Sequence, residues 1–365
     1  MPQFFAGEKI LVVQTSFLGD VVLTTPVFSE IRSRFPKAWL AVLCKPEAKP
    51  LLEGNPDINE IIVDDKRGTA KGLRGLWRKA ADLRQRGFSV ALSPHKSFRT
   101  ALLLFAARIP FRVGFRQSAG WFLYHSLAER DPDLHDVERN LSILKPLGVG
   151  TQSCHGALRV EVLPGARESV DRLFASLGIG DGRITFGLNP GSVWPTKRWL
   201  PEGYAELMVS LKRKYSCDLC LFGGPGDQEI TDRIQRLSGN LGINLAGKLS
   251  LAELACAFEK CDLLITNDSG PMHIAVARQV PVVAIFCATT PSLGFYPYSS
   301  AAVVVEKNLP CRPCSSHGGR RCPLGTGDCM RLIKAEDVLK AVDRLLNGSR
   351  RGAQKESRLP EFLVL

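Results

Sequence analysis

The stretch LLITNDSGPMH, Leu263–His273, predicts a strand, a tight turn and the start of a helix. Its first residues form a short apolar run typical of a buried parallel strand, and Asp268 and Ser269 are good helix N-cap residues. Gly270 allows a ligand to approach the backbone closely, and Pro271 suits a first helical turn. Because free backbone N–H groups at a helix N-terminus bind anions, this turn favours a phosphate ligand.

Short apolar runs alternate with helical stretches along both halves of the 365-residue chain. This alternation predicts parallel, doubly wound sheets, and the length predicts two domains. We expect an α/β protein of the GT-B class, with two Rossmann-like domains facing across a cleft and ligands at the carboxyl ends of the strands. The expected boundaries are 1–165 and 166–347, with the final helix free to pack back on the first domain and a disordered tail at 348–365.

Basic residues outnumber acidic ones by 48 to 36, which gives a net charge of +12. This excess favours an anionic partner: nucleic acid, a membrane surface or a phosphorylated substrate. Lys96, Arg99 and Arg116 lie in a stretch without acidic residues and predict a cationic surface that binds a ligand. The alternative is a solvated surface without such a role.

The longest apolar run, Ala101–Ala107, is far shorter than the ~20 residues of a membrane span. With no secretory signal recognised, we expect a cytoplasmic protein.

Asp20 follows the first predicted strand, on a turn preceded by a glycine. A carboxylate at the carboxyl edge of an open α/β sheet is placed to act as a general base on a bound hydroxyl. The alternative is structural, because Asp is also a good N-cap for a helix that begins at Val21.

The loop NPGSVWPTKRW, Asn189–Trp199, places two cations and two hydroxyl residues directly after a predicted strand. Lys197 and Arg198 can neutralise a pyrophosphate, and Ser192 and Thr196 can donate hydrogen bonds to its oxygens. The alternative is a surface loop held to the domain by Trp199.

A second loop, Gly223–Asp227, is glycine-rich, and its Asp227 is placed to bind a ribose.

Four of the 11 cysteines follow one another at Cys311, Cys314, Cys322 and Cys329, a spacing compatible with structural zinc, with His317 as a spare ligand. Zinc, a redox-sensitive loop and plain thiols all stay open, and we expect no catalytic metal. Asp131-Pro132-Asp133 resembles a metal-binding acidic pair but reads as a turn, because it lies in a polar loop before a helix.

Three motifs together resemble glycosyltransferase family 9, the bacterial ADP-heptose heptosyltransferases. They are TSFLGDVVLTTPVF (Thr15–Phe28), NPGSVWPTKRW (Asn189–Trp199) and TNDSGPMHIA (Thr266–Ala275), and their order and spacing match to about residue 345. The cysteine segment, CRPC followed by CPLGTGDCMRLI, is most similar to the type II members.

The resemblance implies an inverting enzyme without a metal cofactor, with an acceptor-binding first domain and an ADP-sugar-binding second domain. It would move L-glycero-D-manno-heptose from ADP-heptose to the first heptose of the Kdo2–lipid A core at the cytoplasmic face of the inner membrane, as a monomer that does not bind nucleic acid. Type I or III activity is the first alternative, and a non-catalytic nucleic-acid- or lipid-surface-binding protein is the second.

By motif, the resemblance gives Asp20 the role of catalytic base and Lys197 that of phosphate-binding cation. Lys96, Arg99 and Arg116 would bind the phosphorylated acceptor. The remaining donor-binding residues would be Ser192, Thr196, Asp227, Asp268, Ser269, Gly270 and His273.

Overall fold

The computed structural model describes residues 8–68, 71–150, 156–180, 182–349 and 359–365. The chain divides into two compact units, 1–161 and 162–365. The boundary lies four residues before the predicted one because helix α6 (Pro164–Ser176) belongs entirely to the second unit. There it packs on helix α9 (Leu251–Glu259), and the Ser169 hydroxyl donates to the Glu253 carboxylate at 2.6 Å.

The first unit is an α/β domain built on a six-stranded parallel sheet. Its strands are β1 (Lys9–Val13), β2 (Trp39–Cys44), β3 (Glu60–Val63), β4 (Val90–Ser93), β5 (Phe111–Phe115) and β6 (Ser126–Ala128). Its helices are α1 (Leu18–Arg34), α2 (Lys49–Leu52), α3 (Gly72–Arg86), α4 (Phe98–Ala106) and α5 (Asp136–Leu141). The order β3-β2-β1-β4-β5-β6 reverses direction between β1 and β4, so the loops after these two strands border one crevice.

The second unit repeats this plan with seven parallel strands. They are β7 (Ile184–Asn189), β8 (Cys217–Leu221), β9 (Ile243–Asn244), β10 (Leu263–Asn267), β11 (Val282–Phe286), β12 (Ala302–Glu306) and β13 (Glu361–Val364). Its further helices are α7 (Pro201–Lys214), α8 (Gln228–Leu237), α10 (Gly270–Ala277), α11 (Asp328–Arg331) and α12 (Ala335–Ser349). The order β13-β12-β11-β10-β7-β8-β9 places the reversal between β7 and β10. The predicted pair of doubly wound parallel sheets is therefore confirmed.

The end of the chain departs from the prediction of a disordered tail. Residues 361–364 form strand β13, which pairs in parallel with β12 from Val303 to Glu306. The ring of Phe362 lies 5.7 Å from that of Tyr296, so the strand buries part of its apolar side. Of the predicted tail, residues 348 and 349 end helix α12, whereas 350–358 lie outside the described residues. Helix α12 packs on α7 and on strands β11 and β12 of its own sheet.

Helix α1 continues through Pro26, which lacks the N–H that would bond to the carbonyl of Val22. The hydroxyl of Thr25 donates to that carbonyl at 2.7 Å, so the carbonyl keeps a hydrogen-bond donor.

Among the described residues, no helix combines the length and the apolar composition that crossing a membrane requires.

Candidate active site

Four loops of the second domain meet at the carboxyl edge of its sheet, on both sides of the strand reversal. They follow the neighbouring strands β8, β7, β10 and β11. Most of the donor-binding residues predicted from the sequence lie in the first three of these loops. The topology therefore brings the middle motif and the phosphate-binding turn together, since β7 and β10 pair directly.

The centre of this site is an ion pair between Lys197 and Asp268. The Lys197 Nζ lies 2.6 Å from the Asp268 Oδ2, and both side chains are largely buried. The hydroxyl of Thr289 donates to the same carboxylate oxygen at 2.6 Å. Asp268 thus positions the Lys197 ammonium group. The sequence had predicted that Asp268 binds the donor and did not predict this positioning role.

His273 lies in α10 close enough for the Lys197 charge to act on it, and it is 4% exposed. Burial, and secondly the Lys197 charge, lowers the pKa of His273 to about 3. The imidazole is therefore neutral at physiological pH, and its Nδ1 makes no hydrogen bond within the described structure. A neutral ring nitrogen beside the cation is suited to a hydrogen bond with a bound ligand.

Thr196 anchors the loop that carries Lys197. Its backbone N–H donates to the Gly319 carbonyl at 3.2 Å, and its hydroxyl oxygen accepts the Gly319 N–H at 2.8 Å. The adjacent Gly318 has φ +81°, and a Cβ built there would lie 2.8 Å from the Lys197 Cγ. The cysteine-rich loop therefore covers the stem of Lys197, a contact that sequence reasoning missed because more than 100 residues separate the two segments.

Asn267, which ends β10, was also not among the predicted site residues. Its side-chain amide donates to the Pro190 carbonyl at 2.7 Å, and its carbonyl oxygen accepts the Trp199 N–H at 3.0 Å. Asn267 is fully buried, so these bonds fix both ends of the Lys197 loop to β10. Trp199 is fully buried as well and donates its indole N–H to Ile333 at 3.0 Å, so it belongs to the core and not to a solvated loop.

The ribose-binding candidate Asp227 lies next to the Lys197 loop. Its carboxylate accepts the Gly224 N–H at 3.0 Å and lies 3.9 Å from the Arg198 guanidinium. A Cβ on Gly191 would lie 2.5 Å from this carboxylate, so a larger residue there would have to displace the Asp227 side chain. Ser192 is half-buried, and its carbonyl accepts the Arg198 Nε at 2.8 Å. The structure brings these predicted residues to the same edge of the sheet.

In the first domain, Asp20 lies at the third position of α1, not at its N-cap, because the helix begins at Leu18. Its carboxylate accepts the Phe17 N–H at 3.0 Å, so part of the capping interpretation is correct. Burial, and secondly the nearby Asp136 carboxylate, raises the pKa of Asp20 to about 6. This value suits a general base near neutral pH.

Asp136, which sequence reasoning missed, is a fully buried carboxylate. It pairs with Arg130 and accepts the Asn140 side-chain N–H at 3.1 Å. Lys96 belongs to the same electrostatic cluster, since both Asp136 and Asp20 oppose the lowering of its pKa by burial. The polar segment after β6 thus supplies the charges that surround the candidate base.

A cavity of about 330 Å³ lies beside the first turn of α1. Phe17 and Leu18 line its apolar side, and its charged lining consists of three cations and three carboxylates: Lys45, Lys66, Arg67, Glu47, Asp64 and Asp65. The Lys66 Nζ donates to the Thr15 hydroxyl at 2.6 Å, and burial lowers the pKa of Lys66 to about 8. The cavity thus has an apolar side and a lining of mixed charge, and its cations were not among the predicted acceptor-binding residues.

Comparison with known proteins agrees with this geometry. The model of glycosyltransferase family 9 (heptosyltransferase) matches residues 76–323. The chain belongs to glycosyltransferase family 9. It is 28% identical to the lipopolysaccharide core heptosyltransferase OpsX of Haemophilus influenzae, over 84% of this chain and 86% of that one. It is also 28% identical to lipopolysaccharide heptosyltransferase 2 of Salmonella typhimurium, over 78% and 84% of the two chains.

A solved family 9 structure from Veillonella parvula superposes with a TM-score of 0.83 at 29% identity, over 93% of this chain and 98% of that one. The family assignment therefore extends beyond the matched region to both domains. It establishes this chain as a glycosyltransferase of the GT-B fold class.

For this family 9 enzyme, the three predicted acceptor-binding cations have different acidic partners. Lys96 lies near Asp20, as described above. Arg99 lies 3.8 Å from the buried Asp64 carboxylate, whereas Arg116 pairs with Glu129 at the exposed surface. Asp131-Pro132-Asp133 forms the expected exposed turn, in which the Asp131 carboxylate accepts the Asp133 N–H at 3.0 Å.

The four cysteines of the zinc prediction all lie in described segments. Within these segments, no three His, Cys, Asp or Glu side chains are placed to hold a metal ion. Backbone N–H groups, first that of Gly327, lower the pKa of Cys322, whereas burial raises that of Cys329 to about 11. Zinc binding by this loop therefore stays a prediction from spacing.

The pKa of Asp20 predicts the acid limb of the pH profile. A general base works as the carboxylate, so protonation below pH ~6 should lower kcat/KM about tenfold per pH unit, with a plateau above pH ~7. The measurement is kcat/KM for the acceptor between pH 4.5 and 8.5, with the donor saturating. A profile that stays flat to pH 4.5 would remove Asp20 as the titrating base.

Replacing Gly318 with Ala should disturb Lys197 without removing it. The new Cβ would displace the lysine stem, and we expect the KM for the sugar nucleotide to rise about tenfold. Gly325→Ala is the matched control, since Gly325 also has a positive φ but nothing lies within 4 Å of its Cβ. Equal donor KM values for the two variants would contradict the contact.

Proposed function

We propose that this enzyme is an inverting heptosyltransferase that uses ADP-heptose as donor. The proposed acceptor is the first heptose of the Kdo2–lipid A inner core, as expected for type II activity. The family assignment and the names of its relatives support heptosyl transfer in lipopolysaccharide core synthesis. The observation that carries the proposal is the buried Lys197–Asp268 pair directly before the N-cap of α10.

The donor site suits a nucleoside diphosphate leaving group, which needs charge stabilisation more than protonation. Lys197 supplies a fixed ammonium group, and the N-terminal N–H groups of α10 supply backbone donors at Ser269 and Gly270. Asp227 is proposed to bind the ribose, and His273 to donate or accept one hydrogen bond as a neutral ring.

The proposed reaction is a single displacement. The Asp20 carboxylate takes the proton of the acceptor hydroxyl, and that oxygen attacks the anomeric carbon of the heptose. The bond between the anomeric carbon and the phosphate oxygen breaks, and ADP leaves with the negative charge that Lys197 stabilises. Attack from the side opposite the leaving group inverts the configuration at that carbon.

We further propose that transfer needs no metal ion and that the enzyme acts as a cytoplasmic monomer at the inner membrane. Types I and III remain the alternatives for the acceptor, because the relatives include enzymes that differ in this respect. Structural zinc at the four-cysteine loop also stays a proposal, to be tested by the metal content of the purified protein.

An assay with two acceptors distinguishes these activities. We expect heptose transfer from ADP-heptose to mono-heptosylated Kdo2–lipid A and none to Kdo2–lipid A itself, with the same rate in the presence of EDTA. Transfer to the unmodified Kdo2–lipid A would make the enzyme type I. Loss of activity in EDTA that returns with added metal would contradict metal-independent transfer.

Variants separate the two proposed chemical roles. Asp20→Ala should lower kcat by about 10²- to 10⁴-fold, the range for general bases, while ADP binding by calorimetry stays unchanged. Lys197→Ala should cost about 3 kcal/mol of transition-state stabilisation, roughly a hundredfold in kcat/KM for the donor. The control Lys248→Ala removes an equal charge at an exposed position and should change neither value. Normal donor kinetics in Lys197→Ala would refute its placement.

A further inference from the structure

One side of the first domain exposes an unusual number of large apolar side chains. They lie on α3, on α4 and in the turn after β5, and we call them the aromatic face. Its members and their exposed fractions are Leu73 (70%), Trp77 (57%), Phe98 (47%), Phe105 (51%), Trp121 (52%) and Phe122 (61%).

These side chains lie on neighbouring elements, and three of the rings, Phe98, Trp121 and Phe122, form one cluster. Helices α3 and α4 lie side by side with the same direction, since Arg84 donates to the Ala106 carbonyl at 2.8 Å and Arg99 to the Gly72 carbonyl at 3.4 Å. The ring of Phe122 lies 6.4 Å from that of Phe98 and 5.9 Å from that of Trp121. A contiguous exposed apolar patch of this kind marks an interaction site.

The spacing on each helix turns these residues to the same side. Leu73 and Trp77 are four residues apart and Phe98 and Phe105 are seven apart, so each pair shares a helical face. The domain core does not need this face, because the opposite side of each helix already packs through Leu76, Leu83, Leu103 and Leu104.

The surroundings of the aromatic face are cationic. From Lys66 to Ala128 the sequence contains one acidic residue, Asp82, which already pairs with Lys79 at 3.2 Å and Arg86 at 2.8 Å. Arg74 and Arg78 are exposed beside Leu73 and Trp77. Exposed aromatic rings among arginines and lysines are the composition of a surface that lies in the interface of an anionic bilayer.

The aromatic face also borders the catalytic edge of the domain. Helices α3 and α4 begin after β3 and β4, and Trp121 follows β5, so Leu73, Phe98 and Trp121 all lie near the carboxyl edge of the parallel sheet. Asp20 follows β1 at this same edge. Lys96, two residues before Phe98, is close enough to Asp20 for the two charges to interact.

We propose that the aromatic face docks the enzyme on an anionic phospholipid bilayer. Trp121, Phe122 and Phe98 enter the interfacial region, while Arg74 and Arg78 contact lipid phosphates. This inference rests on the proposed function: a lipid-linked acceptor held in that bilayer then presents its sugar to Asp20 without leaving the membrane. A second copy of the chain is a poor occupant, because two such cationic faces would repel each other.

Binding to vesicles tests the proposal directly. The full chain should co-sediment with phosphatidylethanolamine–phosphatidylglycerol (3:1) vesicles and bind phosphatidylcholine vesicles at least tenfold more weakly. The double variant W121A/F122A should lower binding to the anionic vesicles about tenfold. The control L237A removes a similarly exposed apolar side chain from α8 of the second domain and should bind like the wild type.

A second variant guards against misfolding. W121F keeps an apolar ring, and it should retain vesicle binding while losing part of the tryptophan quenching by brominated lipid. Wild-type protein that ignores anionic vesicles, or W121A/F122A that binds them normally while folded by circular dichroism, would overturn the proposal. So would a wild-type dimer that W121A/F122A dissociates, or binding of single-stranded RNA in place of vesicles.

Activity separates this proposal from the proposed function. W121A/F122A should lose about tenfold in kcat/KM for acceptor embedded in the anionic vesicles and nothing for a deacylated, soluble acceptor. Equal losses on both acceptors would assign the rings to sugar binding and overturn membrane docking. If the wild type transfers to neither acceptor yet binds vesicles as described, the proposed function fails and the docking surface stands.

Discussion

The buried ion pair between Lys197 and Asp268 is the interaction on which the donor site depends. An ammonium group taken out of water without a partner would shift to its neutral form or remain mobile. The Asp268 carboxylate, itself held by Thr289, fixes the position of the Lys197 Nζ before any ligand arrives. A diphosphate that binds then meets a preorganised charge, with little further ordering of the lysine side chain.

This pair imposes requirements on residues far away in the sequence. The Lys197 loop must be fixed on both sides, and buried Asn267 does so through Pro190 and Trp199. The cysteine-rich loop must reach the lysine stem without a side chain in the way, and Gly318 meets that need. This loop is in turn fixed by Arg312, whose buried guanidinium donates to the carbonyls of Phe286 and Thr289 and pairs with Glu306.

The sequence was sufficient for the fold and for the location of most predicted site residues, because a parallel topology places the loops after neighbouring strands at one edge of the sheet. Polar residues in the loop or first helical turn that follows a buried strand, such as Lys197 and Asp20, were expected at a carboxyl edge. The roles of Asn267, Gly318 and Arg312 could not be read in this way, since they depend on contacts between distant segments. In the sequence, these residues stand out only as a polar residue at the end of an apolar strand or as a glycine or arginine in a cysteine-rich loop. Many purely structural positions show the same pattern. The prediction of a disordered tail was wrong at β13 for a related reason. This four-residue strand is stabilised by pairing with β12, which is distant in the sequence.

The arrangement of charges around Asp20 follows a different logic from that around Lys197. A base that is directly paired with an arginine becomes too weak, because the ion pair lowers its pKa. Here the Arg130 guanidinium forms its ion pair with a second carboxylate, Asp136, and not with Asp20. Burial, and secondly Asp136, then raises the pKa of Asp20, while the Phe17 N–H, Arg130 and Lys45 limit that rise to about 6. The carboxylate is thus ionised at neutral pH and still basic enough to take a proton. Lys197 needs a close counter-ion to stay fixed, whereas the arginine nearest to Asp20 pairs with a second carboxylate, Asp136. The two sites thus differ for a chemical reason.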